Sequence, residues 1–473
     1  MTVGHAARPQ SLLRRTVSFV TFTRAFCHTP LRMASLTPAD NSSSAVPHVP
    51  IPKNGVDYRG KIVLAPMVRS GELPSRLLAL KYGADLVWGP ETVDRSMIGT
   101  TQRTNPRTGC VEWSRNSNNQ NPDGPEKDSV IFRIDPKRES DRLIYQIGTS
   151  NPDLAVQAAT LIAPYVRGVD VNAGCPKPFS TCGGMGAALL KTPDKLCDIL
   201  TTLVSKVGIP YEIGISVKIR LLETPELTSS LVNKLCKTGI TGLTIHCRTT
   251  PMRPRERAIR EQLRMIGDIC RSHGVACLMN GDVTSRDQGL ALAKEYGVDG
   301  AMIATAAEAN SSVFRSGQQG GLLYWEEVVK EYMKFAISVE NRYRNTKFLL
   351  SQLMPGKSPK YQRIQMSRSY SEAIAILEIT DSEFVEMAKE VDHVLQLDLP
   401  RMTKADMKRL NKQHAKENQA KNQEKKRALE QSHDRGTEIP SPSEERMKKQ
   451  KAEIAAENAG FEGLGQGAMA VAV

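Results

Sequence analysis

Residues 168–190 read Gly-Val-Asp-Val-Asn-Ala-Gly-Cys-Pro-Lys-Pro-Phe-Ser-Thr-Cys-Gly-Gly-Met-Gly-Ala-Ala-Leu-Leu. The stretch opens as a short apolar strand, breaks at Gly174-Cys175-Pro176, crosses a glycine-rich loop and enters a helix at Ala187. A cysteine fixed between Gly and Pro at the end of a strand is well held and reachable, and α/β enzymes place reactive side chains there. The alternative is a buried structural thiol, since free cysteine is among the most buried residue types.

Similar strand-forming stretches lie on either side of this one. Short runs of apolar and β-branched residues alternate with stretches of helical period over about 250 residues. The predicted strands are Ile62–Val68, Ala84–Gly89, Leu143–Gly148, Gly168–Asn172, Ile215–Ile219, Gly242–His246, Ala276–Asn280 and Gly300–Ala304. Eight strand–helix units predict a (β/α)8 TIM barrel, an α/β fold. The competing fold is a doubly wound sheet, which is disfavoured because no Gly-x-Gly-x-x-Gly follows the first strand.

The chain divides into segments of different character. Residues 49–320 are predicted to form the barrel, with a polar insertion at about 98–141 that is expected to be partly disordered or hairpin-like. Residues 321–400 predict a small all-helical domain, because apolar residues recur there at helical spacing. Residues 401–473 form a charged tract expected to be largely disordered. Helices are predicted at Glu72–Tyr82, Pro152–Ala163, Pro193–Val207, Pro225–Thr238, Arg257–Ser272, Ser285–Tyr296, Trp325–Arg344, Ser371–Leu377 and Asp381–Val391.

The first 48 residues differ from the rest in charge. Five arginines precede the first acidic residue, Asp40, and Ser and Thr are frequent, a composition typical of a mitochondrial transit peptide. The alternative is an ordinary disordered tail. A start at Met33 would remove the basic segment, so a cytoplasmic and nuclear product is expected beside a mitochondrial one.

Composition limits the partners. The 473-residue chain has a formal net charge of +13, which favours a polyanionic partner, with nucleic acid ahead of a membrane surface. No apolar run approaches the length of a membrane span. The nine cysteines and eight histidines are scattered without Cys-x-x-Cys or His-x-x-x-His spacing, so neither a disulfide framework nor a metal is predicted.

Polar side chains stand at most of the predicted strand ends. A barrel does not need them there for stability, because each would cost desolvation free energy if unpaired. Together they suit a flavin: the Gln146 amide could bond the pyrimidine edge of the ring, and Lys218 could stabilise the negative charge of the reduced ring. Gly281 and Gly300 would allow backbone amides to approach a phosphate, and His246 could add a donor.

Seven of these stretches, in their order and spacing, resemble the tRNA-dihydrouridine synthase family. They are Ala65-Pro66-Met67-Val68-Arg69, Gln146-Ile147-Gly148, Asp170-Val171-Asn172-Ala173-Gly174-Cys175-Pro176, Gly183-Gly184-Met185-Gly186-Ala187-Ala188-Leu189-Leu190, Val217-Lys218-Ile219-Arg220, Ile245-His246-Cys247-Arg248 and Asn280-Gly281-Asp282. Ser180–Leu190 and residues 340–347 resemble the eukaryotic branch that acts on uridine 20, in its fungal form without a double-stranded-RNA-binding domain. The resemblance covers about residues 61–397.

The resemblance implies FMN in the barrel mouth, NADPH or NADH as reductant, and tRNA gripped by the helical domain; a monomer is expected. It implies that Cys175 is the proton donor, and that Asn172, Arg220 and Arg248 bind the substrate. Reduced flavin would deliver hydride to C6 of uracil, and Cys175 would protonate C5 as a general acid. The residues implied to bind the cofactor are Pro66, Met67, Val68, Gln146, Lys218, His246, Asn280, Gly281, Asp282, Ala304 and Thr305.

Three features depart from the family pattern, and two alternative functions stay open. Thr305 stands where arginine is common near the flavin phosphate, Cys182 stands where lysine is frequent, and the insertion after the second strand is long. One alternative is an FMN barrel that reduces a free pyrimidine, and the other is a non-catalytic RNA-binding protein on a decayed barrel. The basic charge and the helical domain favour RNA, and the intact Cys175, Lys218 and His246 favour an enzyme.

Overall fold

The computed structural model describes residues 50–115 and 129–398, with five isolated positions between 409 and 419. The segments predicted to be a transit peptide and a disordered tail therefore lie almost wholly outside the described residues. Residues 116–128 of the insertion also lie outside them. In the described ranges, none of the helices has the length and apolar character that a membrane span requires.

The strands form one large and one small sheet. In chain order they are β1 (Lys61–Leu64), β2 (Leu86–Trp88), β3 (Thr92–Val93), β4 (Thr101–Thr104), β5 (Val111–Arg115), β6 (Ser129–Ile134), β7 (Leu143–Gly148), β8 (Gly168–Ala173), β9 (Gly214–Arg220), β10 (Gly242–His246), β11 (Ala276–Asn280) and β12 (Gly300–Ile303). Strands β1, β2 and β7 to β12 pair in parallel, and both the β2–β7 and the β12–β1 pairings are present, so the sheet closes. The predicted eight-stranded parallel barrel is confirmed.

Helices surround the barrel and continue beyond it. In chain order they are α1 (Leu73–Lys81), α2 (Asp94–Met97), α3 (Pro152–Ile162), α4 (Pro178–Thr181), α5 (Pro193–Leu203), α6 (Ile209–Tyr211), α7 (Pro225–Cys236), α8 (Leu263–Ser272), α9 (Arg286–Tyr296), α10 (Thr305–Ala309), α11 (Trp325–Ser338), α12 (Tyr343–Leu353), α13 (Pro359–Met366), α14 (Tyr370–Leu377) and α15 (Ser382–Val394). Side chains of Asn151, Thr224 and Ser285 cap α3, α7 and α9 by accepting a hydrogen bond from a first-turn amide. Such caps satisfy amides that have no partner within the helix.

Two predicted helices have wrong boundaries. The helix predicted from Arg257 begins at Leu263, because the preceding loop turns inward and the carbonyl of Glu256 accepts a hydrogen bond from Arg248. The helix predicted to run to Arg344 ends at Ser338 and a second one begins at Tyr343. Glu340, in the break, has a φ of 49°, which a continuous helix does not allow.

The insertion is ordered on both sides of its undescribed residues. Strands β4, β5 and β6 form an antiparallel sheet, which agrees with the hairpin-like form of the prediction. Trp113 on β5 packs edge-on against Tyr165 at 5.2 Å between ring centroids, and Phe132 on β6 packs edge-on against Tyr145 of the barrel at 5.1 Å. Aromatic pairs of this geometry add about 1 kcal/mol each beyond burial, so they hold the small sheet against the barrel.

The barrel is filled at one end and polar at the other. Apolar side chains from β1, β2, β7, β11 and β12 form a separate buried cluster with Tyr58, whose ring lies so close to β10 that a Cβ at Gly242 would be 2.7 Å from it. Gly242 is the first residue of β10, so Tyr58 closes the amino-terminal end. The carboxyl ends of the strands are therefore the end where a ligand site is expected.

Candidate active site at the open end of the barrel

Cys175 lies just after β8, half-buried at the rim, in a turn that other residues hold. The side-chain oxygen of Asn172 accepts hydrogen bonds from the amides of Gly174 and Cys175 at 3.0 and 3.1 Å. The carbonyl of Cys175 accepts from the amide of Ala187 at 2.9 Å, so the glycine-rich loop returns to the cysteine. Gly186 has a φ of 58°, and a Cβ there would lie 2.6 Å from that carbonyl, so this position requires glycine.

The surroundings of Cys175 favour a neutral thiol. Burial raises the pKa of the Cys175 thiol, and the nearby carboxylate of Glu91 raises it further. The backbone amide and the ammonium of Lys177, together with Arg220, act in the opposite direction without cancelling the rise in this pKa. At neutral pH the group is therefore a protonated thiol, which is the state of a proton donor and not of a nucleophile.

A buried carboxylate lies inside the barrel below the rim. Asp170 on β8 is fully buried and accepts hydrogen bonds from Gln146 Nε2 at 2.8 Å and from Ser216 Oγ at 2.7 Å. Burial raises the pKa of Asp170 to about 6, although these two bonds and Lys218 oppose the rise. Because Gln146 donates through its amide nitrogen, its amide oxygen is left as the acceptor for a ligand.

Lys218 on β9 supplies a partly desolvated cation. It is half-buried and lies in register with Asn172 on β8 and with Thr244 on β10. Burial lowers the pKa of its ammonium to about 8, and Arg220 lowers it further, while Asp170 has the opposite effect. A cation with this shift gains more from an anionic ligand than a solvated lysine does.

His246 ends β10 as a neutral side chain. Burial, followed by the positive charges of Lys218, Arg220 and Arg248, lowers its pKa to about 2. Arg248 Nη1 lies 3.3 Å from His246 Nε2, and arginine only donates, so Nε2 must be the acceptor. His246 therefore carries its proton on Nδ1 and offers a donor there.

The arginines predicted to bind substrate are used within the protein. Arg248 is buried and donates to the carbonyls of Pro254 and Glu256 and, at 2.6 Å, to Asp282. Arg220 donates to the carbonyls of Gly174 and Thr249, at 2.7 and 2.9 Å, and so holds the cysteine loop. Contact of either residue with substrate stays a prediction, and the contacts seen here are structural.

The remaining predicted cofactor residues also lie at the open end. Pro66 and Met67 are half-buried after β1, and Val68 is exposed. Asn280 at the end of β11 donates to the carbonyl of Met302 at 2.9 Å, and Gly281 follows with a φ of 122°. Ala304 is half-buried after β12, and the exposed Thr305 begins the short helix α10.

The sequence prediction missed Glu91 and the buried Asp170. Glu91 follows β2, accepts a hydrogen bond from Ser180 and lies near Asn172, beside the cysteine loop. Its signal was the same as for the other rim residues, a polar side chain just past a predicted strand. Asp170 had a different signal, a carboxylate between Val169 and Val171 in an otherwise apolar strand.

A large groove lies between the small sheet and the helices that follow the barrel. Its volume is about 1570 Å³, and Pro90, the neighbour of Glu91, is among its lining residues, so the groove reaches the rim. Nine cationic side chains and six carboxylates line the groove. The cations are Arg76, Arg103, Arg107, Arg133, Arg342, Arg344, Lys347, Arg368 and Lys389, and the carboxylates are Glu72, Glu112, Glu340, Glu372, Asp392 and Asp398. Arg69, in the loop after β1, stacks on Phe348 of α12 at 4.1 Å, a second link between the rim and these helices.

A closed parallel barrel whose open end holds a protonated thiol and a desolvated lysine defines a TIM-barrel enzyme. In residues 50–115 and 129–398, no group of three His, Cys, Asp or Glu side chains is placed to hold a metal ion. The chain belongs to the dihydrouridine synthase (Dus) family, whose model matches residues 63–360.

Two fungal relatives are similar over most of the described chain. The tRNA-dihydrouridine(20) synthase of Schizosaccharomyces pombe, with NAD(P)+ in its name, is 47% identical over 68% of this chain and 66% of its own length. The Saccharomyces cerevisiae protein of the same name is 43% identical over 68% of this chain and 84% of its own length. The alignment thus spans about two thirds of the S. pombe protein. A solved structure of DHODH from Eimeria tenella with ferulenol is distantly similar, at 13% identity and a TM-score of 0.34 over 52% of this chain and 76% of that one.

Proposed function

We propose that this protein is a tRNA-dihydrouridine synthase that uses FMN and NADPH or NADH to reduce the C5=C6 bond of uridine 20. The observation that carries the proposal is that the open end of a barrel of this family holds both a protonated thiol, Cys175, and a partly desolvated cation, Lys218. The names of the two fungal relatives support the position of the uridine and the nicotinamide reductant.

The residues at the open end fit a flavin. The oxygen of Gln146 can accept from the pyrimidine edge of the ring, and the ammonium of Lys218 can stabilise negative charge on it. The Nδ1 proton of His246 and the backbone at Gly281 are donors suited to the phosphate. A bound reduced flavin would supply the hydride for C6 of the uracil.

The side chain of Cys175 completes the reduction by supplying a proton. Addition of hydride to C6 leaves negative charge at C5 and O4 of the base, and the thiol protonates C5 as a general acid. Asn172 holds the cysteine turn and has its amide nitrogen on the same rim, where it can also contact the uracil. Arg220 fixes the carbonyl of Gly174 and so keeps the turn from opening.

The groove supports RNA as the substrate. Its lining has more cationic than acidic side chains, which suits a phosphate backbone, and the whole chain has a net charge of +13. Arg342, Arg344 and Arg368 are exposed along it and available to phosphates. The target base must leave its stack to reach the rim, which costs less in a loop such as that around uridine 20 than in a duplex.

The cellular form of the enzyme is a further part of the proposal. The arginine-rich composition of residues 1–48 supports a mitochondrial product, and a start at Met33 would give a cytoplasmic and nuclear one. We propose that the enzyme acts as a monomer. Fusing residues 1–48 to a fluorescent reporter tests the first statement, and the mass of the purified protein in solution tests the second.

The decisive experiment combines flavin identification with position-resolved mapping. The purified protein should be yellow and release FMN on heating, and with NADPH it should convert only uridine 20 of an unmodified tRNA transcript to dihydrouridine. A transcript with cytidine at position 20 is the matched control and should not be reduced. Reduction of free uracil or orotate in preference to tRNA would replace the proposal with a free-pyrimidine reductase. A colourless protein that still binds tRNA would leave only an RNA-binding role.

A further inference from the structure

Glu91 is a half-buried carboxylate at the rim with no part in the chemistry described above. It lies in the loop between β2 and β3 and packs against β7, where a Cβ at Gly148 would come within 2.6 Å of its Oε1. Only glycine at that position leaves room for the carboxylate. Ser180 donates a hydrogen bond to Glu91 at 3.4 Å. The nearby side chain of Asn172 opposes the rise that burial causes in the pKa of the Glu91 carboxyl.

Asn172 lies beside Glu91 with its side-chain amide in a defined orientation. The two ends of an asparagine amide have the same shape, and the hydrogen-bond network decides their orientation. The oxygen of Asn172 accepts from the amides of Gly174 and Cys175, so its nitrogen is the end left to interact with Glu91. The carboxylate thus supports an orientation that the two backbone donors require.

The bond to Ser180 connects Glu91 to the other side of the cysteine loop. Ser180 is fully buried, and its hydroxyl occupies the space that a side chain at Gly186 would need. The amide of Ala187, the next residue, donates to the carbonyl of Cys175. Glu91 thus contacts the loop from both sides, through Asn172 before the cysteine and through Ser180 after it.

We infer that Glu91 is a positioning residue for Cys175, which holds the cysteine loop through Asn172 and Ser180. This role rests on the proposed function, in which Cys175 donates a proton. The charged groups facing the thiol are Glu91, which raises its pKa, Lys177 and Arg220, which lower it, and Lys218, whose ammonium interacts with the cysteine. Glu91 is the only one of these four whose charge favours the acid form.

The charge and the hydrogen bonds can be separated by two substitutions. Glu91→Gln keeps the size and an acceptor oxygen but removes the negative charge, whereas Glu91→Ala removes both. Glu331→Gln is the matched control, since Glu331 is likewise a half-buried carboxylate but pairs with Lys81 of α1 and Lys334 of α11. Thermal unfolding and flavin content are measured first for each holoenzyme, and Glu91→Gln decides the proposal if the alanine variant fails to fold.

The first readout is alkylation of Cys175 by iodoacetamide as a function of pH, followed peptide by peptide because Cys182 is also exposed. Loss of a nearby negative charge favours the thiolate, so the midpoint in Glu91→Gln should move down by about one pH unit. Alkylation below the wild-type midpoint should then be up to about tenfold faster. An unchanged midpoint would overturn the electrostatic role.

The second readout is the rate of dihydrouridine formation against pH. In Glu91→Gln the alkaline limb of kcat should move to lower pH, with KM for tRNA unchanged, and Glu91→Ala should lower kcat at every pH by about tenfold or more. Wild-type profiles in both variants would overturn the positioning role. Alkylation needs no tRNA, so a wild type that fails to modify tRNA counts against the proposed function and leaves the first readout to decide on Glu91.

Discussion

The protein buries charged groups in two regions, and it treats them in opposite ways. At the junction, where the barrel meets the small sheet and the later helices, every buried charge named here has an oppositely charged partner. Glu139 accepts two hydrogen bonds from the buried Arg76, both at 2.7 Å. Burial alone would raise the pKa of Glu340, yet Arg107 and Asn105 hold it below its ordinary value.

At the rim of the barrel the same kinds of groups are shifted toward their neutral forms. Burial lowers the pKa of Lys218 to about 8 and that of His246 to about 2, and it raises the pKa of Glu91. Asp170, deeper in the barrel, has a pKa raised to about 6. The junction charges are held in their charged forms by opposite charges, which is typical of structural ion pairs, whereas burial shifts Lys218, His246 and Asp170 toward their neutral forms, which is typical of a functional site.

The largest effect on stability is expected at the junction. Glu139→Gln leaves the Arg76 cation buried without its anionic partner, which should cost about 3–5 kcal/mol. The unfolding temperature should fall by on the order of 10 °C, while flavin content at low temperature stays normal. Calorimetry checks this. The control is Glu386→Gln, which breaks the exposed pair with Lys389 and should change stability by less than about 0.5 kcal/mol. Equal losses of stability in the two variants would contradict the view that the buried ion pair contributes more than the exposed one.

The next effect is on the cofactor and comes from the rim. Lys218→Met removes a cation that the flavin would use, so flavin affinity should fall about 10-fold to 100-fold, as for a charged hydrogen bond. The flavin-free protein should be as stable as the wild type or more stable, because a desolvated charge is gone. Titration with FMN and thermal unfolding measure the two quantities. A destabilised variant that still binds FMN normally would place Lys218 with the structural charges.

The lowered pKa of Lys218 also predicts how the free energy of unfolding depends on pH. This pKa is about 8 in the folded protein and near 10.4 in an unfolded chain. Between these values the unfolded chain binds more protons, so the contribution of Lys218 to stability rises with pH through this window, by at most about 3 kcal/mol. Unfolding of flavin-free wild type and Lys218→Met from about pH 7 to 10 should show this extra slope in the wild type alone. Parallel curves would show that Lys218 is solvated.

The smallest effect is expected at the exposed edge of the junction. Arg107 pairs with Glu340 at 2.5 Å, but its side chain is 50% exposed. Arg107→Met should therefore cost about 1 kcal/mol or less, well below the effect at Glu139. Chemical denaturation measures the change. A loss as large as that of Glu139→Gln would mean that the contribution of an ion pair at the junction does not decrease with its exposure to solvent.

Local sequence patterns were sufficient to predict the strands of the barrel and the residues at their ends. The predicted strands Gly242–His246 and Ala276–Asn280 match β10 and β11 residue for residue, since short apolar runs with clear ends carry a local signal. The rim residues followed from the strand ends, because parallel strands in a closed barrel bring their carboxyl ends together.

Long-range pairing limited the rest of the prediction. Glu340, in the helix break, pairs with Arg107, 233 residues earlier in the chain, and no local pattern encodes that contact. Arg248 had the position of a substrate residue, but Asp282 and the turned loop at Glu256 engage it within the protein. Glu91 stands just past a predicted strand, as the other rim residues do, so the sequence could have suggested it. Only its contacts with Ser180 and Asn172 in the structure show its importance.

In the proposed reaction Cys175 is an acid and takes no part in holding or reducing the flavin. Cys175→Ala tests it most directly when the two half-reactions are followed separately by flavin absorbance. NADPH should reduce the variant at the wild-type rate, whereas reoxidation by tRNA and dihydrouridine formation should slow by about 100-fold to 10,000-fold. Normal reoxidation by tRNA, with dihydrouridine formed at the wild-type rate, would contradict the account.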